Sequence, residues 1–149
     1  MTQLYDTDFY IWTQEMAHRL RERDASALDW ENIAEEIESM GKRDYRGLSS
    51  RVTVLLTHLL KWRYQDDRRS RNWRSMIETQ RDRIESIVAD SPSFRSRMML
   101  DMNDAYKWAV VKASIETTIP EKKFPADCPW TLRAHWKTLS TCKIRFRGN

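Results

Sequence analysis

The stretch YRGLSSRVTVLLTHLLKW, residues 45–62, carries the clearest indication of the fold class. Its apolar side chains recur at alternating spacings of three and four residues, which is the period of one face of an α-helix. Two further leucines widen that face into the broad apolar surface of a core helix. The series is Tyr45, Leu48, Val52, Leu55, Leu59 and Trp62, with Leu56 and Leu60 beside it. This stretch therefore predicts an amphipathic helix that supplies much of a helical core.

Two amphipathic helices are expected before this stretch. The first should begin near Asp6 or Thr7, because either side chain can cap a helix N-terminus. The second should follow a turn at residues 24–29 and end at Gly41, since glycine favours helix C-termini. Their apolar stripes are Phe9, Trp12, Met16 and Leu20 in the first helix, and Trp30, Ile33, Ile37 and Met40 in the second.

Two more helices are expected after the stretch. One spans residues 70–90, with Trp73, Ile77, Ile84 and Ile87 on one face. The other runs from about residue 93 toward residue 119, with Pro92 in its first turn, where a helix tolerates proline, and Pro120 beyond its end. Met98, Met102, Ala105, Ala109 and Ala113 give this last helix a face of methionines and small residues.

The segment after residue 119 has a different character. Pro120, Pro125 and Pro129 predict an extended or turned chain, and Phe124 and Trp130 can pin it onto the helices. The predicted fold class is therefore all-α, a bundle of four to five amphipathic helices with a Pro-punctuated C-terminal extension.

Length and composition agree with this fold class. The chain has 149 residues, 40% hydrophobic and 32% charged, with three glycines and four prolines. Such a length suits one domain that buries about two thirds of the surface its unfolded chain exposes. We expect a single helical-bundle domain over residues 1–131, followed by a basic tail with little order at residues 132–149.

The formal net charge of +4 is concentrated in that tail. The chain has no acid after Asp127, whereas its bases there are Arg133, Lys137, Lys143, Arg145 and Arg147. The rest of the chain is nearly neutral, so attraction of a polyanion would act mainly at the tail. Nucleic-acid binding is therefore open but not favoured.

Cysteine usage and the N-terminus suggest a cytoplasmic protein without a cofactor. Cys128 and Cys142 lack the CxxC spacing of a zinc or redox site. The N-terminal MTQLYDTDFY does not read as a signal peptide, and no apolar run reaches the roughly 18 residues of a membrane span. A Gly-rich phosphate loop and a nucleophile elbow are also missing. We expect no membrane association.

Several ordered motifs resemble a bacterial, largely cyanobacterial family, the domain-of-unknown-function family number twenty-nine. The resemblance covers about residues 4–131 and implies a small helical domain with no established activity, substrate or catalytic residues. Its motifs are YDTDFYIW at 5–12, DWENIAEEIESMGK at 29–42, HLLKW at 58–62, RSRNW at 69–73, QR at 80–81, SPS at 91–93, ET at 116–117 and FPADCP at 124–129. The basic tail departs from the short acidic end typical of the family.

The second predicted helix carries three carboxylates on one side. Glu31, Glu35 and Glu38 are spaced so that they project from the same side of a helix. We expect them to pair with arginines such as Arg51 or Arg81, because an unpaired buried charge is costly. The alternative is a carboxylate metal site. Helical di-metal sites need two Glu-x-x-His elements, and the chain has one, at residues 15–18, so we expect no metal.

Arg51 and His58 are the only candidate catalytic pair. Seven residues apart, they lie within about 20° of each other around a helix axis. This arrangement resembles the Arg and His of helical HEPN-type ribonucleases, in which arginine would stabilise phosphate charge and histidine would move a proton. Val52 follows the arginine where that family usually has a polar residue. A histidine hydrogen-bonded at the flank of the core is the alternative.

Residues 61–74 interleave bases with aromatics. Such a surface can hold phosphates and stack bases. Its candidate binding residues are Trp62, Arg69, Arg71 and Trp73, with Arg81 further along the same predicted helix as Trp73. The alternative is that the two tryptophans anchor the core and the arginines balance the acidic helix. Contact with a protein partner is a third interpretation.

The leading functional hypothesis is a non-enzymatic protein-interaction module. Seven tryptophans and seven methionines are many for a chain of this size, and protein interfaces favour aromatics, methionine and arginine. The hypothesis covers a homodimer as well as a different protein partner. The alternatives are nucleic-acid binding, or RNA cleavage by Arg51 and His58, and then a carboxylate metal site. Large side chains that simply fill the seams of the bundle would give the same composition.

Overall fold

A computed structural model of the protein describes residues 3–130, and the regular secondary structure in that range consists of helices, without a strand. Five α-helices follow one another, α1 (Gln3–Thr7), α2 (Phe9–Glu22), α3 (Trp30–Tyr64), α4 (Arg71–Asp90) and α5 (Ser93–Thr117). Short 3-10 turns lie at Ala25–Ala27, Asp66–Arg68 and Glu121–Lys123. The predicted all-α class is confirmed.

The chain divides into two compact units, the first ending at Arg43 and the second beginning at Asp44. The expected single domain over residues 1–131 stays a prediction. The expected tail at residues 132–149 lies outside the described residues.

Helix α3 corrects one sequence expectation. Gly41 does not end a helix, because α3 is continuous from Trp30 to Tyr64, and neither Gly41 nor Gly47 has a positive φ. A glycine inside a helix costs about 1 kcal/mol relative to alanine. Ending the helix at Gly41 would require a second helix to nucleate after it, and nucleation is unfavourable, whereas extending an existing helix is not. The separate second and third helices predicted above are therefore one element.

The start of α2 corrects a second expectation. Asp8 caps this helix, its side chain accepting a hydrogen bond from the Ile11 backbone N–H at 3.1 Å. Asp6 and Thr7, the predicted caps, lie inside the short helix α1. Aspartates at neighbouring positions offer the same capping chemistry, so sequence alone does not choose between them.

In the first unit, Trp12 and Met16 are buried on α2. The Tyr5 and Trp12 rings meet edge to face with centroids 4.8 Å apart, and Phe9 stacks on Trp12 at 5.7 Å. The backbone N–H of Asp29 lies 3.4 Å from the Met16 sulfur. Only part of each predicted apolar stripe is therefore buried, because Phe9, Leu20, Trp30, Ile37 and Met40 are exposed.

In the second unit, α3, α4 and α5 enclose the main core. The α3 series predicted from residues 45–62 is confirmed as the largest contributor, with fully buried Leu48, Val52, Leu55, Leu56 and Leu60. From α4 come Ile77, Ile84 and Val88, and from α5 come Met98, Met102, Ala105, Tyr106, Ala109 and Ala113. The methionine and small-residue face predicted for the last helix lies in this core.

The bounds of α4 and the position of the C-terminal extension also match the sequence expectations. Ser70 caps α4 by accepting the Trp73 backbone N–H at 3.1 Å. Phe124 and Trp130 are buried in the core of the second unit, and Tyr106 donates its hydroxyl to the Pro125 carbonyl at 2.7 Å. These contacts hold residues 124–130 against α5, as the aromatic residues predicted.

Candidate functional site

The first half of α3 carries an apolar stripe that faces solvent. With about 100° per residue, Trp30, Ala34, Ile37 and Gly41 fall within an arc of about 60° around the helix. All four are exposed, with Trp30 at 59% and Ile37 at 64% of their full accessible surface. We call these four residues the α3 stripe. Large apolar side chains with this much exposed surface mark contact sites when they are contiguous.

Large and small residues alternate along the α3 stripe. A Cβ built on Gly41 would meet nothing within 4 Å, and Ala34 adds only a methyl group. Helix surfaces with small residues between large ones let a second helix approach closely, because the large side chains of one fit between those of the other. The stripe therefore has the shape of a helix-docking surface.

Three carboxylates border the α3 stripe on one side. Glu31, Glu35 and Glu38 lie about 80° to 140° around the helix from Trp30, and all three are exposed. We call them the acidic edge. The structure thus brings these three predicted binding residues together on one side of α3, next to an apolar surface.

The acidic edge has few internal partners. Glu38 lies 3.7 Å from Lys42 Nζ, and both side chains are about 70% exposed, so this pair contributes little to stability. Within the described residues, no ion pair involves Glu31 or Glu35. The predicted pairing of these acids with Arg51 or Arg81 would join the two units and stays a prediction.

Glu36 has a different task from its neighbours. It lies on another side of α3 and accepts a hydrogen bond from the Tyr5 hydroxyl at 2.6 Å. This hydrogen bond to a carboxylate raises the pKa of Tyr5 to about 12. Glu36 therefore links α3 to α1 through this hydrogen bond, whereas the side chains of the acidic edge are exposed to solvent.

The candidate catalytic pair lies on α3 in the second unit and is engaged by the protein itself. Arg51 Nη1 donates to Gln80 Oε1 at 3.5 Å. His58 Nδ1 lies 2.9 Å from the Val54 carbonyl, so this nitrogen carries the proton and donates to the preceding turn. A role of the pair in RNA cleavage stays a prediction, and these contacts are those of the structural alternative.

The tryptophans of residues 61–74 are covered by cations of the same unit. Lys61 Nζ lies 4.7 Å from the centre of the Trp73 ring and 2.6 Å from Glu116 Oε2. The Arg69 guanidinium lies 5.2 Å from the Trp62 ring, and its Nε donates to the Trp62 carbonyl at 2.7 Å. Cation–π pairs of this kind stabilise the bundle, so the contacts favour a structural interpretation.

The remaining predicted binding residues, Arg71 and Arg81, lie on α4 together with Trp73, and a binding site made of these residues stays a prediction. Arg71 is exposed at the start of α4. Arg81 is half-buried in the same helix, and burial lowers the pKa of its guanidinium from the usual value. Among residues 3–130, no group of three or more His, Cys, Asp or Glu side chains is placed to hold a metal ion.

The structure adds a surface groove that sequence analysis missed. It has a volume of about 360 Å³ and lies between α3 and α5 of the second unit. Its lining consists of Arg46, Ser49, Ser50, Thr53, Trp108 and Lys112. The spacing of the α3 residues indicates a shared helix face, but no sequence signal brings them next to Trp108 and Lys112.

Comparisons with known proteins place the chain in a family. In the part that the structure describes, no helix is long and apolar enough to cross a membrane. Neither a curated protein nor a solved structure matches the chain. A family model described as a domain of unknown function, DUF29, matches residues 4–138. That match spans most of the chain and includes every motif of the resemblance noted in the sequence, so the chain belongs to the DUF29 family.

Proposed function

We propose that this chain is a protein-interaction module whose α3 stripe binds an amphipathic helix of another protein. The observation that carries the proposal is the exposure of Trp30 and Ile37 beside the small residues Ala34 and Gly41. Burying one such apolar side chain in an interface contributes about 1.5–3 kcal/mol. Recognition of an amphipathic helix through its apolar face is a common mode of binding between proteins.

The acidic edge indicates the charge of that partner helix. Glu31 and Glu35 have no cation among the described ion pairs, and Glu38 has only a weak exposed one. A helix with lysine or arginine beside its apolar face would place positive charges opposite these carboxylates. Complementary charge of this kind mainly raises the rate of association and the specificity. The proposed partner is therefore a basic amphipathic helix.

A titration with model peptides tests the proposal. The probe is a fluorescent peptide of about 18 residues, built from leucine and lysine with helical apolar periodicity, and a scrambled peptide of the same composition is its control. We expect the periodic peptide to bind and the scrambled one to bind at least about tenfold more weakly, a difference of about 1.4 kcal/mol. Added salt should weaken binding, because the contributing charges are exposed.

The variant Ile37→Ser should weaken binding of the periodic peptide by about tenfold or more, since it removes the central apolar contact. Ile115→Ser is the matched control, because Ile115 is similarly exposed but lies on α5. The control should bind as the unchanged protein does. Equal binding by Ile37→Ser and the unchanged protein would contradict the proposal.

A further inference from the structure

Helix α5 carries apolar side chains on two opposite sides. Its inner side is buried in the core of the second unit, as described above. On its outer side, Leu100 is 85%, Trp108 66% and Ile115 74% exposed. With about 100° per residue, these three residues fall within an arc of about 80°, together with Asp104 and the half-buried Val111. We call these five residues the outer stripe.

A helix that is apolar on opposite sides is normally buried on both. The inner side of α5 already has its neighbours in α3 and α4. The outer stripe extends over four turns, from Leu100 to Ile115, which is long enough to pack against a whole helix. It therefore has the form of an interface for a second helix.

Two charged residues, Asp104 in the outer stripe and Lys112 beside it, are arranged symmetrically about Trp108. Asp104 lies one turn before Trp108, and Lys112 lies one turn after it. Leu100 and Ile115 lie about two turns away in the two directions. When two copies of this helix pack antiparallel about a two-fold axis at Trp108, Asp104 comes beside Lys112 of the partner subunit. Leu100 then meets Ile115 of the partner subunit. A two-fold interface requires this kind of self-complementarity.

The surroundings of Trp108 favour the same pairing. The groove of about 360 Å³ beside Trp108 is lined by Lys112 and Arg46, with hydroxyls from Ser49 and Ser50. The groove thus offers a positive, hydrogen-bonding surface to the carboxylate of the partner's Asp104. Among residues 3–130, Asp104 makes a loose ion pair, 3.8 Å from Lys107 Nζ, with both side chains more than 75% exposed. Such a pair is easily exchanged for another.

We infer that α5 forms the interface of a two-fold homodimer, in which the outer stripes of two copies pack antiparallel about Trp108. The occupant of this surface is a second copy of the chain, because its apolar and charged positions complement themselves in this one register. The inference uses residues other than the α3 stripe, and so it goes beyond the proposed function.

Charge-swap variants test both the dimer and its register. In the Asp104→Lys variant, the new lysine lies beside Lys112 of the partner subunit at both ends of the interface. In the Lys112→Glu variant, the new glutamate lies beside the partner's Asp104. Each variant alone should dimerise at least about tenfold more weakly than the unchanged chain, because like charges then face each other. An equimolar mixture of the two should form mixed dimers, since every contact across the axis is again between opposite charges.

Sedimentation equilibrium gives the dimer dissociation constants, and native mass spectrometry identifies the mixed dimers. Trp108→Ser should be monomeric with an unchanged helical circular dichroism spectrum. A monomeric unchanged chain at high micromolar concentration would overturn the inference. So would charge variants that dimerise normally, or a mixture that forms no mixed dimer. Ile37→Ser should still dimerise, and Trp108→Ser should still bind the leucine–lysine peptide, so each proposal can fail without the other.

Discussion

Lys61 is a charged residue almost completely buried in the second unit. Its ammonium group has two stabilising neighbours, the Glu116 carboxylate at 2.6 Å and the face of Trp73. It therefore ties α3 to both α4 and α5. Removing water from a charge costs several kcal/mol, and the cost is offset only when close partners replace the water.

We expect Glu116→Gln to lower the free energy of unfolding by about 1–3 kcal/mol, because Lys61 would keep its charge but lose a charged partner. Urea denaturation at neutral pH measures the change. Glu78→Gln is the matched control, since Glu78 pairs with Arg74 at 3.2 Å where both side chains are more than half exposed. That control should change stability by less than about 1 kcal/mol. Equal effects of the two substitutions would show that Lys61 does not depend on Glu116.

Tyr45 contributes to the stability of the second unit in a way that changes with pH between about 10 and 12. Its hydroxyl donates to the Asp101 carboxylate, and burial together with this hydrogen bond raises the pKa of Tyr45 to about 12. The unfolded chain loses the tyrosine proton near the ordinary pKa of 10.0. The contribution of Tyr45 is thus fully present below pH 10 and is lost as the pH rises toward 12.

The variant Tyr45→Phe should be less stable than the unchanged protein at pH 8, by about 0.5–1.5 kcal/mol for the lost hydrogen bond. The stability difference should shrink as the pH rises from 10 to 12. Urea unfolding at a series of pH values measures this, and the control is Tyr10→Phe, because Tyr10 is 71% exposed. A constant difference across this pH range would contradict the assigned role of Tyr45.

At the scale of an element, the continuity of α3 has a direct consequence for Gly41. In a helix interior, alanine is favoured over glycine by about 0.5–1 kcal/mol, and an added Cβ at Gly41 has open space around it. We therefore expect Gly41→Ala to stabilise the protein by about that amount in thermal or urea unfolding. Gly47→Ala should do the same, because Gly47 is also inside α3 with open space. Destabilisation by Gly41→Ala would indicate the helix end that the sequence suggested.

The elements were predictable where a local signal had no competitor. The three-four periodicity of residues 45–62, the apolar face of the helix expected at residues 70–90, and the prolines at positions 92 and 120 each point to one structure. The second half of α3, α4 and α5 follow from them. Gly41 and Asp6 did not predict helix boundaries correctly. A glycine can end a helix or lie inside it, and the packing of the flanking residues decides which occurs. Asp6 and Asp8 offer the same capping chemistry, so the sequence does not choose between them.

For the whole molecule, the shared helix side of the acidic edge could be predicted, but the exposure of the α3 stripe and of the outer stripe could not. Glu31, Glu35 and Glu38 were expected to share a helix side, which follows from spacing alone. Which stripe stays uncovered depends on how many neighbours each helix has, and spacing carries no such information. The groove beside Trp108 combines α3 with α5, so it needs the tertiary fold. The same holds for Lys61, whose partners lie in two other helices.

The exposed surfaces are the basis on which we propose that this small helical protein binds other chains. The α3 stripe provides an apolar face with an acidic edge. Basic residues that the sequence offered for nucleic acid, such as Lys61 and Arg69, have partners within the bundle. We propose that the acidic edge selects the charge of a helix that docks on the α3 stripe.

A charge-reversal titration tests that claim most directly. The dissociation constants of a leucine–lysine and a leucine–glutamate amphipathic peptide are measured for the unchanged protein and for the triple variant Glu31→Lys, Glu35→Lys, Glu38→Lys. The unchanged protein should prefer the lysine peptide by about tenfold or more, and the triple variant should prefer the glutamate peptide, because the apolar contacts are the same while the charges are reversed. A preference that stays the same in the triple variant, or no binding of either peptide by the unchanged protein, would contradict the account.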